Sequence, residues 1–125
     1  MKFTIKVAPI TKKNSQQIIV CGGRPRIIPS KQYTQYEKDA AYFLKPLNIS
    51  TPVNIQAVYY MQTRRKVDIT NLHSALCDVL VHCGVLQDDS SLNPCIVRSM
   101  DGSRVKYDKD NPRTEVIILE VQNEQ

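Results

Sequence analysis

The sequence predicts an α+β fold: a small single domain, residues 1–125, in which two main helices accompany a mixed or antiparallel sheet. Two observations carry this. Several segments alternate apolar and polar residues as half-buried strands do, while two others repeat their apolar residues at helical spacing. Their order along the chain is βββαβαββ, a mixture that argues for α+β. At 125 residues with 42% hydrophobic content, the chain suits one core and is too evenly apolar for disorder.

The first strand is "KFTIKVA" (2–8), ended by Pro9. A polar loop, "ITKKNSQQ", follows. "IIVC" and "RPRIIP" then read as two short strands around the Gly22-Gly23 turn, with Pro25 marking an edge or a bulge. "PSKQYTQYEKDAAYFLK" (29–45) reads as the first helix. Ser30 is its expected N-cap, Tyr33, Tyr36, Ala40, Phe43 and Leu44 form its apolar face, and Pro46 closes it. "VNIQAVYYMQ" (53–62) is a strand rich in β-branched and aromatic residues.

The second helix is expected over about residues 70–83. Leu72, Ala75, Leu76, Val79, Leu80 and Cys83 fall at i, i+3, i+4, i+7 spacing, Asn71, Ser74 and Asp78 line another face, and Gly84 suits the C′ position. "NPCIVRSM" and "TEVIILEVQ" are the last two strands, with "DGSRVKYDKDNP" as a turn-rich hairpin connection between them.

The formal net charge of +5 favours an anionic partner, most commonly nucleic acid. The cations are grouped near loops and element ends: Lys12 and Lys13 beside Asn14, Arg24 and Arg26, Lys31, and the run Arg64-Arg65-Lys66. No apolar run approaches the ~20 residues that span a bilayer, so no membrane association is expected. The N-terminus alternates rather than forming a secretory h-region, which places the protein in the cytoplasm. Cys21, Cys77, Cys83 and Cys95 contain no C-x-x-C pair and read as free thiols. His73 and Cys77 are one helical turn apart, which is only half of a structural zinc site.

Acids flank the second helix: Asp68 before it, Asp88 and Asp89 after it. Asp68 reads either as a helix-terminal acid or as a metal ligand, and Asp88-Asp89 either as turn residues or as ligands. Phosphodiester cleavage needs a divalent cation on hard oxygen ligands with cations nearby to hold phosphates, and Arg64-Arg65-Lys66 lead into Asp68 with only Val67 between. A helix of ~14 residues is about 20 Å long, so the acids meet only if the chain after Gly84 folds back along it.

The stretch "RRKVDITNLHSALCDVLVHCGVLQDDSSL" resembles the motif region of the RusA family of Holliday-junction resolvases. The matching positions are Arg64, Arg65, Asp68, Asn71, Leu72, Asp78, Leu80, Gly84, Asp88 and Asp89. "KKNSQQI" is similar to the family's early polar loop, and "GRPRIIPSKQYTQYEKDA" to its Arg-rich approach to the first helix. The resemblance implies a small homodimeric endonuclease, of a kind often encoded by phages or prophages. It implies binding to branched, four-way DNA junctions and symmetric cutting of two strands with Mg²⁺ or Mn²⁺. It also implies Asp68 and Asp89 as catalytic metal ligands, with Asp88 and Thr70 at the metal. Lys12, Lys13, Asn14, Arg24, Arg26, Lys31, Arg64, Arg65 and Lys66 are the expected DNA contacts.

Two positions depart from the family pattern. Thr70 stands where the family has a second acid, and Ser74 where it has a lysine. Thr70 is expected to N-cap the helix, with Asp68 just outside. Three readings stay open. The site is rearranged around Asp68 and Asp89 with Asp88 or Asp78 as a third ligand, or junction binding survives without cutting, or the scaffold serves protein contacts. His73 is a further candidate base, since its ordinary pKa lies near neutrality.

Overall fold

A computed structural model describes residues 1–11, 16–29, 31–87 and 96–121, apart from the side chains of 16–19, 21 and 26–29. Its elements are β1 (Lys2–Ile5), β2 (Gln16–Cys21), β3 (Arg24–Pro29), α1 (Lys31–Ala41), β4 (Val53–Met61), α2 (Ile69–His82), β5 (Val97–Ser99), β6 (Arg104–Tyr107) and β7 (Arg113–Glu120). β1, β7 and β4 pair antiparallel, while β5 and β6 pair parallel to β4 along its other edge. The sheet is therefore mixed, and the fold is the α+β arrangement that the sequence predicts.

β4 is the centre of the sheet. Val53, Ile55, Ala57 and Tyr59 alternate inward and are at most 1% exposed. Ile5, Val116 and Ile118 join them from β1 and β7, and Leu72, Leu76, Val79 and Leu80 from α2. Tyr36 and Ala40 of α1 complete the same core. All of α2's predicted stripe is buried except Cys83, which is the half-buried C-cap. Gly84 takes φ +77°, and a Cβ there would lie 3.3 Å from the Pro46 side chain.

β2 and β3 form a separate two-stranded sheet with Cys21 opposite Arg24. Gly22 and Gly23 both have positive φ, +61° and +77°, as a tight hairpin turn demands. Pro25 is tolerated because both strands of a two-stranded sheet are edges.

β1 ends at Ile5 rather than Ala8, and β5 covers only Val97–Ser99; two other predicted elements change more. Helix α1 ends at Ala41, not near Lys45: Phe43 and Leu44 form i→i+3 turns onto Ala40 and Ala41, and Phe43 is 37% exposed. The helix's expected cap, Ser30, lies outside the described residues.

The expected hairpin connection between the last two strands instead contains β6, which continues the β5 edge and pairs Val58–Met61 with Arg104–Tyr107. Asn54 holds the break between the two runs. Its Oδ1 accepts from Ser99 Oγ at 2.6 Å and from the Asp101 N–H at 2.8 Å. Ser103 Oγ accepts from the Ala57 N–H at 3.0 Å, taking the place of a ladder bond.

This topology brings the chain back alongside β4. The helix begins beyond the C-terminal end of β4, and just after its end the Asn48 N–H donates to Gly84 and the Ile49 N–H to Val85. β5 and β6 then return parallel to β4 as far as Tyr107, opposite Met61.

Candidate nucleic-acid and metal site

The N-terminus of α2 is organised by Asp68. Its φ of −86° and ψ of 121° are extended, and its side chain caps the helix. Oδ1 accepts from the Thr70 N–H at 3.0 Å and from the Thr70 hydroxyl at 2.7 Å. This corrects the expectation that Thr70 caps the helix with Asp68 outside. Asp68 has the extended backbone an N-cap requires, and Thr70 is already helical two residues on. A carboxylate at a helix N-terminus also meets the positive end of the helix dipole. The Thr70 hydroxyl, having donated its proton, keeps its lone pairs, so two hard oxygen donors lie side by side.

Ser74 donates its hydroxyl to the Thr70 carbonyl at 3.0 Å and is exposed. Asp78 sits about 15 Å further along α2 by helical rise, on the side facing Tyr33 of α1. It is therefore not a third ligand for this end of the helix. His73 is half-buried, with Nδ1 2.6 Å from the Tyr59 hydroxyl. Burial pushes the His73 pKa down and that of Tyr59 well up, so both are neutral near pH 7. This bond fastens α2 to the centre of β4.

Arg64, Arg65 and Lys66 are all exposed in the β4–α2 connection. They diverge. The Arg64 guanidinium lies 4.3 Å from the ring centroid of Tyr107, at the end of β6. Arg65 and Lys66 instead line a cleft of about 220 Å³ whose other walls include Met61, Thr63 and Gln32. Gln32 follows Lys31, so the first turn of α1 adjoins the basic run. Arg24 is exposed at the tip of the β2–β3 hairpin. Asp88, Asp89, Lys12, Lys13 and Asn14, and the Arg26 side chain, lie outside what is described. Among the described residues no three His, Cys, Asp or Glu side chains group as a metal site. Cys77 and Cys83 are free thiols, as expected; the Cys21 side chain and Cys95 lie outside the described residues.

β6 lies where the sequence predicts a turn-rich connection. Arg104, Val105, Lys106 and Tyr107 are all exposed, and they put two more cations and a tyrosine at this sheet edge. The available signal was the alternation Arg-Val-Lys-Tyr, which is four residues long and flanked by turn residues.

The family model for endodeoxyribonuclease RusA matches residues 6–119. The chain belongs to the RusA family, a family of Holliday-junction resolvase-type nucleases that bind branched DNA and generally depend on divalent metal. No curated protein matches it closely enough to count as a relative. Among the described residues no helix is long and apolar enough to cross a membrane.

Proposed function

We propose that this chain is a cytoplasmic, homodimeric endonuclease that resolves four-way DNA junctions by paired, symmetric phosphodiester cleavage. The whole chain serves as one catalytic domain. Asp68 and Asp89 are its catalytic acids and would hold Mg²⁺ or Mn²⁺, with Asp88 and Thr70 beside them. The observation that carries this reading is the N-terminus of α2, where the Asp68 carboxylate and Thr70 hydroxyl are 2.7 Å apart, one residue beyond a run of three exposed cations. When bound, such an ion lowers the pKa of a water molecule and offsets charge on the phosphate.

The chain's own residues do the rest. Arg64, Arg65 and Lys66 grip backbone phosphates on either side of the scissile bond, and Lys31, Arg24, Arg26, Lys12, Lys13 and Asn14 extend that grip. The Asp68–Thr70 bonds and the His73–Tyr59 bond fix the acid relative to the sheet.

The test is a labelled mobile four-way junction, with linear duplex as control, in Mg²⁺ and in Mn²⁺, and with binding measured in EDTA. Symmetric nicks confined to the junction are the expected result. Asp89→Asn should abolish nicking and spare binding; loss of binding instead would make Asp89 structural. Thr70→Asp should raise metal-dependent nicking, because position 70 already touches Asp68.

A second reading has one observation in its favour. Neither Thr70 nor Ser74 carries a charge, so junction binding without nicking would mark a retained DNA scaffold whose chemistry is lost.

A further inference from the structure

Tyr107 has no role in the reading above, yet it is 40% exposed and the Arg64 guanidinium carbon lies over its ring, 4.3 Å from the centroid. A guanidinium lying on an aromatic ring uses its face, while its five N–H donors point outward in the plane. Those donors match a phosphate bidentately. Among the described residues Arg64 makes no hydrogen bond and no ion pair.

The neighbouring stack shows what a settled arginine looks like here. Arg113 lies 3.7 Å from the Tyr60 ring centroid, but its Nε donates to Glu115 at 3.0 Å and its terminal nitrogen to Asp108 at 2.9 Å. Position matters as well. Residues 64 and 68 are close enough in sequence that their Cα atoms lie within roughly 14 Å. Arg64 therefore presents its charge close to the Asp68 end of α2.

We infer that Tyr107 is a positioning residue for DNA: it holds the Arg64 guanidinium flat, with its donor edge presented to a backbone phosphate of the branched substrate. The inference rests on the junction-binding reading. Holding a long side chain in its bound geometry removes part of the entropy otherwise lost on binding. Because the phosphate backbone is the ligand, the contact carries no base preference.

The experiment measures junction affinity against salt concentration in EDTA for the full chain and its variants. Arg64→Ala should weaken binding about ten-fold and reduce the log–log salt slope by roughly 0.9, one phosphate contact. Arg64→Lys should keep the slope and still lose several-fold, since an ammonium has no plane to stack. Tyr107→Leu should lose about three- to five-fold, in line with an exposed cation–π contact, and Tyr107→Phe should restore wild-type affinity. The double variant R64A/Y107L should bind no more weakly than Arg64→Ala alone. Thermal melting of each variant confirms that it is folded.

If Tyr107→Leu costs as much in the Arg64→Ala background as alone, Tyr107 does not act through Arg64 and the inference fails. It fails equally if Tyr107→Leu binds like wild type while wild type binds junctions in a salt-sensitive way. A wild-type protein that binds no junction at all overturns the junction-binding reading itself, and the inference with it.

Discussion

The two faces at the C-terminal end of β4 carry the same motif in opposite states. On one, Arg113 stacks on Tyr60 and is answered by Asp108 and Glu115. The Arg113 bond holds the Asp108 carboxyl below its usual range, and Glu115 raises the Arg113 pKa in return. On the other, Arg64 lies over Tyr107 with no acid to meet it among the described residues, a few residues before Asp68, the acid that caps α2. The lesson is that stacking says little about what an arginine is for. Its remaining donors decide that: engaged internally, they brace a strand; left open, they are free for a partner.

The largest effect expected on the open face comes from Asp68. Asparagine caps a helix about as well as aspartate, so Asp68→Asn should melt like wild type while junction nicking falls at least ~100-fold, the scale of losing a residue essential to the chemistry. Asp68→Ala should lose nicking equally and also about 1 kcal/mol of stability with the cap. Equal nicking by Asp68→Asn and wild type would reduce Asp68 to a structural cap and erase the contrast between the faces.

The closed face should respond in the opposite sense. Arg113→Ala leaves two neighbouring carboxylates without their shared partner and removes the Tyr60 stack, so the melting temperature should drop by several degrees. Junction affinity should stay within experimental error. A salt slope that changed as it does for Arg64→Ala would show that Arg113 reaches DNA after all.

The smallest effect is expected from the bond that roots α2 in the sheet. Burial lowers the His73 pKa below its ordinary 6.5. The unfolded chain then takes up this proton at a higher pH than the folded one. The stabilising contribution is complete above about pH 6.5 and is lost as pH falls from there toward the lowered folded value. His73→Gln should therefore flatten the fall in melting temperature between pH 7.5 and 5.5. An unchanged slope would mean that other groups account for it. Tyr59→Phe, which removes the hydroxyl, should lose about 1 kcal/mol at neutral pH.

What could be read from the sequence follows from how local each signal is. The α2 stripe from Leu72 to Leu80, the Gly22-Gly23 hairpin and the C′ role of Gly84 each depend on residues within a few positions, and each is found as expected. The choice of cap was harder, because Asp68 and Thr70 are both good capping types two residues apart. Only the backbone angles separate them. β6 was missed because a strand exposed along its whole length has no burial pattern to betray it. The Arg64–Tyr107 stack joins residues far apart in sequence, and it follows from the register of β6 on β4. Sequence identified the Arg64 charge but not the residue that holds it.

The interruption between β5 and β6 has one more effect, on how molecules of this protein meet each other. The long strands, β4 and β7, lie inside the main sheet, and its rims are the four residues of β1 and the three- and four-residue runs of β5 and β6. Gly102, at φ +85°, turns the chain between those runs, and Arg104 and Lys106 charge the second of them. A rim so short, broken and cationic is a poor template for further strands. The same break that carries the chain back toward the C-terminal end of β4 thus keeps a nine-residue β-branched and aromatic strand from seeding open-ended stacks at high concentration.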